Sequence, residues 1–394
     1  MTAARAFPFS APERLTVDPL FAELRRDQPL CRVQLAYGEP AWMATRYDDV
    51  KLVLGDPRFS RAAAVDRDEP RSRTHKGAPG NILSYDPPEH SRLRRLVTKA
   101  FTVRRVEQLR ARAEEIAGGL VDNLTAPADL VEDFALPLPI TVICEMLGVP
   151  YEDRVDFRTW SDAFLSTTRF TPSEVAYNVG QLREYMAGLI AQRREASRDD
   201  LLSGLVAARD DEDRLSEDEL LAMAEGLLVA GHETTASQIP NFVYTLLTHP
   251  QQLAELRTDL GLVPQAVEEL MRYVPLGAGG GSARYALEDV EVGGVVVNAG
   301  EPVIAAIASA NRDEAVYTDP DRLDLHRKEA SHVGFGHGPH HCLGAPLARM
   351  ELQVALRTLL TRLPGLRLAV PAEEVVWRVG SATRSPAQLP VVWD

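Results

Sequence analysis

Cysteine is scarce in this chain: Cys31, Cys144 and Cys342 are the only three among 394 residues, an odd number set far apart. Such a set speaks against a disulfide framework and fits a reducing compartment. Basic charge is also short, with 43 Lys and Arg against 57 Asp and Glu and a formal charge of −14. A polyanion usually demands a basic face, which argues against nucleic acid as a general partner. No continuous apolar run reaches membrane-spanning length, and Met1 to Ser10 hold no apolar core of signal-peptide length. The expectation is a cytoplasmic protein without a membrane anchor. Neither a low-complexity linker nor a fixed-period repeat interrupts the sequence. What remains, 45% hydrophobic and 25% charged, suits a globular protein with a large core and room for a buried cofactor.

The stretch Phe335-Gly336-His337-Gly338-Pro339-His340-His341-Cys342-Leu343-Gly344 organises the rest. Its glycines and proline suit a tight loop, and Pro346 suits the first turn of a following helix. A cysteine before a helix start faces free N–H groups and the positive end of the helix dipole, which stabilise the metal-ligating thiolate. A zinc site of His332, His337, His340, His341 and Cys342 is the alternative, but it has one sulfur and no Cys-x-x-Cys. The pattern Phe-Gly-x-Gly-x-His-x-Cys-x-Gly resembles the haem-ligand loop of the cytochrome P450 monooxygenases. The resemblance puts Cys342 in the place of the axial thiolate, with Phe335, His340 and Gly344 against the haem. Thiolate ligation pushes electron density onto iron and favours O–O cleavage.

Before this loop, Cys31 to Leu35 and Ala41 to Thr45 read as paired strands, and Tyr47 to Leu54 as a helix. Arg61 to Pro88 is polar and without period, as a lid, a binding loop or a partly disordered segment would be. Glu89 to Ala100 returns to helix, with His90 and Arg94 four apart on one face. Spacing alone fits a solvated basic face shared with Arg92, Arg95 and Lys99. The family resemblance implies instead that His90 and Arg94 bind the haem propionates. Periodic helices follow over Val103 to Leu124, Leu138 to Leu147 and Val175 to Arg194. Between them Phe157 to Phe170 fits ordinary helix–loop–helix packing as bare sequence, while the resemblance implies the family's mobile roof over the substrate pocket.

Ser216-Glu217-Asp218-Glu219 has the form of a capping box, and the helix it opens is apolar nearly all round as far as Gly231. Inside it stand His232-Glu233-Thr234-Thr235, and a carboxylate there needs either a task or a partner. Bare sequence would also allow a helix bent by hydroxyl back-bonding. Ala230-Gly231-x-Glu233-Thr234-Thr235 resembles the family's oxygen-activation motif. By that resemblance Ala230 and Gly231 border the haem, and Gly231 leaves room for dioxygen. Thr234 would hold the oxygen being activated and an ordered water, and Glu233 would relay protons. Pro240 should remove the bond to the Ala236 carbonyl and kink the helix.

Glu269 and Arg272 lie three apart on a helical face, a common surface pairing. In this order before the cysteine loop they resemble the family's buried Glu-x-x-Arg, with Arg322 as third member and a structural role. Arg284 matches a propionate-binding arginine. The glycine-rich run from Pro275 to Ser282 reads by itself as a flexible loop; the resemblance implies that it lies beside the haem's substrate face, where missing side chains would widen the pocket wall for a bulky substrate. Val229, Ala230, Leu276, Gly280 and Thr383, the last in the turn Ser381 to Pro386, are the expected substrate contacts.

The whole is identified as a cytochrome P450, mainly α with a smaller β-rich part at about 29–46, 285–300 and 366–394. It is expected to be a single domain over 1–394, monomeric, enclosing haem b between the central helix and the Cys342 loop. The expected reaction hydroxylates or epoxidises a bulky secondary metabolite with O2 and electrons from a ferredoxin and its reductase. The pattern, above all Asp86 to Thr102, resembles actinobacterial members acting on macrolides and polyketides. Oxidation of a carrier-tethered substrate, or a non-oxygenase haem protein, are the rival expectations.

Overall fold

Helix-forming stretches with one apolar stripe dominate the computed structural model, which describes residues 4–74, 76, 80–210, 214–277 and 281–394. Among them, α1 (Leu20–Asp27), α2 (Tyr47–Gly55), α3 (Glu89–Thr98) and α4 (Val103–Asp122) come first. Next are α5 (Pro137–Leu147), α6 (Arg154–Phe164), α7 (Pro172–Glu195), α8 (Leu201–Asp210) and the 31-residue α9 (Glu217–Leu247). The series closes with α10 (Pro250–Thr258), α11 (Val263–Tyr273), the short α12 (Ile307–Ala310) and α13 (Ala345–Arg362). None of the described helices is long and apolar enough to cross a membrane. The chain divides into two compact units, one of residues 1–92 and 268–342, the other of residues 93–267 and 343–394.

The first unit is built on a six-stranded sheet. Its order is Arg5–Ala6, Leu30–Gln34, Ala41–Ala44, Pro302–Ala305, Arg284–Ala286 and Phe59–Ser60. The strand pair expected from sequence is present, antiparallel, with Cys31 opposite Met43. Tyr47, Val50 and Val53 of α2 pack with Phe59, Val303 and Tyr317 into a buried cluster beside this sheet. A hairpin joins Val290–Val292 to Val295–Val297 across Gly293 and Gly294, both at positive φ. From Arg61 to Pro88 the backbone makes only two 3-10 turns, Ala62–Ala64 and Ile82–Ser84, so the irregular reading holds for the described residues.

The second unit surrounds α9. Ser216 and Glu219 form the expected reciprocal cap, Ser216 accepting from the Glu219 N–H at 3.1 Å and Glu219 from the Ser216 N–H at 2.7 Å. Helices α5, α7 and α13 pack against α9. The helix runs without interruption past Pro240 to Leu247. Sequence placed the C-terminal β structure with the other strands, but Arg367–Leu368 and Pro390–Val392 form a separate sheet with Ala128–Asp129. Such two- and three-residue strands carry too little alternation to be read from sequence.

Candidate active site

The cysteine loop is shaped by glycine backbone. Gly336 and Gly338 have φ of +74° and +71°. At Gly338 a β-carbon would stand 2.5 Å from the Leu54 carbonyl oxygen, so only glycine lets the loop pass the end of α2. The Cys342 N–H donates to the Phe335 carbonyl at 2.9 Å, which closes the turn and leaves Cys342 exposed and outside any disulfide. Gly344 is the N-cap of α13, and Pro346 lies in its first turn, as expected.

The loop histidines have separate neighbours. His332 Nε2 lies 3.2 Å from Glu268, and His337 lies against Gly55. The His340 ring sits 4.2 Å from that of buried His90. Neither nitrogen of His340 has a hydrogen-bond partner among the described residues. Burial, then the nearness of His90, Arg284 and Arg61, pushes His340 down to about 3. Arg284 is itself buried, and burial with Arg61 nearby lowers it to about 10. The Arg61 backbone N–H donates to Asp86 at 2.9 Å, and its guanidinium pairs with Glu69 at 3.1 Å. Cationic and donor groups are thus gathered, largely dehydrated, beside the cysteine loop. Sequence reasoning named His90, Arg284 and His340 but missed Arg61 and Asp86, which lie in the stretch without period. Arg94 is half-buried on α3, four residues after His90.

In the same unit, Glu269 receives two bonds from Arg272, at 2.7 and 2.8 Å, with both side chains 2% exposed. The third side chain is Arg327, whose Nε reaches Glu269 at 3.2 Å. Arg322, expected there, supplies only its carbonyl, to Arg272 and Arg327. Its guanidinium turns to Asp324 and is 64% exposed. The two arginines are five positions apart, and spacing in a loop cannot say which one folds back.

The second unit holds the chemistry of α9. Leu227, Ala230, Gly231 and Thr234 form its accessible stripe, while His232, Glu233 and Thr235 are buried. The Thr234 hydroxyl donates to the Ala230 carbonyl at 3.0 Å, a back-bond within the helix. Gly231 has a packing reason beyond the expected room for dioxygen: a β-carbon there would meet Ile143 of α5 at 2.6 Å. Glu233 has the partner its burial requires, since Arg378 Nη1 donates to its Oε1 at 2.8 Å. The same nitrogen stands 3.6 Å from Asp162 of α6, which also binds Arg169 at 2.8 Å. Sequence reasoning asked for a partner and could not find Arg378, 145 residues away.

Of the expected substrate contacts, Ala230 is exposed, Leu276 is half-buried and Val229 is buried off the stripe. Gly280 lies outside the described residues. Thr383 is buried and accepts from the Ser237 hydroxyl of α9 at 3.3 Å. One acid escaped the sequence reading entirely. Glu351 of α13 is wholly buried, its carboxyl oxygens have no hydrogen-bond partner among the described residues, and burial pushes its pKa well above the carboxylate range. Thr235 approaches it without reaching hydrogen-bond geometry.

Comparison with known proteins gives this arrangement its class. The family description "Cytochrome P450" matches residues 157–364. The chain is 54% identical over 398 residues to the mycinamicin IV hydroxylase/epoxidase of Micromonospora griseorubida, covering 100% of both. It is 56% identical to the nocardicin C N-oxygenase of Nocardia uniformis subsp. tsuyamanensis, covering 100% of this chain and 99% of that one. The solved structure of HinD with NMFT and NO superimposes with a TM-score of 0.97 at 48% identity, each chain fully covered. The chain belongs to the cytochrome P450 family and has its mainly helical fold. It is a monooxygenase, and haem b is its cofactor.

The residues present fit that cofactor. Haem b offers an iron that takes a thiolate and two carboxylates that take buried donors. An exposed cysteine closes a glycine loop, and beside it His340 has two orphaned nitrogens among Arg284, Arg61 and His90. A dehydrated cluster of this sign is the environment an anionic edge would stabilise.

Proposed function

We propose that Cys342 is the axial ligand of the haem and that His90, Arg94, Arg284 and His340 hold its propionates, with Phe335, Ala230, Gly231 and Gly344 bordering the ring. The observation that carries this reading is the buried cationic cluster beside an exposed, disulfide-free cysteine. Bound to a thiolate, haem b supplies the one-electron steps that place one oxygen atom of O2 in the substrate and release the other as water.

The chain's own residues do the rest. Thr234 turns its hydroxyl from the Ala230 carbonyl to an ordered water. Glu233 passes a proton to that position while Arg378 holds its other oxygen. Glu269, Arg272 and Arg327 have no part in the chemistry; they fix the fold near the cysteine loop. Both compact units act as one functional domain, since the motifs of one activity are divided between them.

The substrate is a bulky secondary metabolite of macrolide or polyketide type, hydroxylated or epoxidised as a free small molecule. Support comes from the relative that is a mycinamicin IV hydroxylase/epoxidase and from the glycine-rich run after Leu276. The nocardicin C N-oxygenase, 56% identical over the chain, gives oxidation at nitrogen as the second reading. Electrons arrive singly from a ferredoxin and its reductase, and the protein works as a cytoplasmic monomer.

The test is the visible spectrum of the purified ferric protein, titrated with macrolides, smaller polyketides and carrier-bound acyl groups. A saturable low-spin to high-spin shift with the macrolide or free polyketide class is expected. A shift with carrier-bound groups alone would overturn the free-substrate assignment, and a reconstituted protein without haem bands would overturn the whole reading.

A further inference from the structure

Two buried acceptors face one another on α9. His232 is 1% exposed, and its Nδ1 stands 2.7 Å from the Leu228 carbonyl oxygen. A carbonyl can only accept, so Nδ1 carries a hydrogen and Nε2 is the ring nitrogen left to exchange a proton. That Nε2 lies 3.9 Å from Glu233 Oε2. Neither atom has a hydrogen-bond partner among the described residues, although each is sealed from solvent. Glu233 is meanwhile held at Oε1 by Arg378, so Oε2 is the oxygen left to act. Without a proton between them, Nε2 and Oε2 would be two lone-pair atoms facing each other in a dry site, which repel. One proton between them, directly after a small rotation or through one water, satisfies both.

We propose that His232 is a positioning partner of Glu233: one proton is shared between Nε2 and Oε2, Glu233 passes it on, and a proton drawn in from solvent restores the pair before the next transfer. The proposal rests on the reading of Glu233 as the relay acid. Its place in the reaction follows from stoichiometry: substrate C–H, O2, two electrons and two protons give C–OH and one water. The electrons come from the redox partner, and both protons must reach a buried position. A lone carboxylate emptied by the first proton has to be refilled before the second. An imidazole lone pair against its free oxygen keeps that proton within the site. The other charged groups around the pair are Arg378 and its neighbours Asp162 and Arg169. Arg158 of α6, itself paired with Glu132, adds a nearby positive charge, and Glu351 of α13 faces Thr235.

The tautomer is read by 15N NMR of the histidine-labelled, reduced, carbon-monoxide-bound holoprotein, with the His232 signal assigned by its loss in His232→Gln. The expected result is an Nδ1–H ring whose Nε2 resonance moves in Glu233→Gln. An Nε2–H ring, or a resonance indifferent to Glu233→Gln, overturns the proposal without any need for an active variant. In turnover, His232→Gln keeps polarity but cannot take up a proton. It should retain haem and the substrate spin shift while kcat falls about tenfold or more at unchanged KM, with a larger solvent isotope effect and more peroxide per electron. An unchanged isotope effect and unchanged peroxide yield would refute it. Thr234→Ala separates the two failures: if that variant leaks peroxide while His232→Gln does not, only the role of His232 falls. If neither leaks, the relay itself is misassigned.

Discussion

At the residue scale the decisive facts concern partners. Glu269 has Arg272 and Arg327 for company, all three side chains nearly dehydrated, so removing Arg272 breaks a buried pair while removing Arg327 takes away one of its charge-assisted bonds. Arg327→Ala, which leaves the Arg272 pair in place but deletes a charge-assisted bond to Glu269, should lower stability by about 1.5–3 kcal/mol. Arg322→Ala, its guanidinium largely in solvent, should change it by no more than about 0.5 kcal/mol. Denaturant unfolding of both variants compares them, and equal losses would show that Arg322 shares the charge after all. Gly231→Ala drives a methyl group into Ile143 and should cost about 1–3 kcal/mol even before haem is added. Thermal melts of the apoprotein check this. Thr234→Ala should let electrons flow while peroxide accumulates and product falls, measured as peroxide and product per electron consumed. Fully coupled turnover in that variant would remove Thr234 from the relay.

Helices were legible because their signals are local. The capping box at Ser216, the 3.6-residue period and Pro346 just inside α13 each act within a turn or two, and each produced the element expected. Partnerships across the sequence were not legible in the same way. Burial of Glu233 implied a partner, yet nothing within a helical turn of it names Arg378. Arg327 replaced Arg322 for the same reason. The pairing of Ala128–Asp129 with Pro390–Val392 likewise depends on which chain segments meet, and no pattern in either segment contains that information.

The interface of α9 with α13 carries its own pH dependence at the element scale. Glu351 has a raised pKa when folded, so the native state holds a proton that the unfolded chain releases near the ordinary glutamate value. Stability from this group is complete below that value and declines as pH rises toward the folded pKa, at about 1.4 kcal/mol per pH unit. Glu351→Gln removes the titration. The variant's stability relative to the parent should therefore rise as pH climbs above the ordinary glutamate value and level off above the folded pKa. Urea unfolding across that range reads the difference, and a constant offset would mean that Glu351 is ionised in the fold.

For the whole molecule, the division of motifs matters most. The cysteine loop, His90, Arg284 and the Glu269 cluster belong to residues 1–92 and 268–342, whereas Glu233, Thr234, Arg378 and Glu351 belong to 93–267 and 343–394. A fragment holding either set alone would lack half of the chemistry. The negative total charge is compatible with an acidic ferredoxin only if docking uses a local basic surface, so reduction by such a partner should slow as ionic strength rises. Stopped-flow reduction rates at increasing salt measure this, and salt-independent rates would argue against charge-guided docking.

The central claim is that Cys342 supplies a thiolate to haem iron. Its most direct test is the carbon monoxide difference spectrum of the reduced, reconstituted protein beside that of Cys342→Ser. The account predicts a strongly red-shifted band in the parent and its disappearance in a variant that still folds. An identical red-shifted band in Cys342→Ser would contradict it.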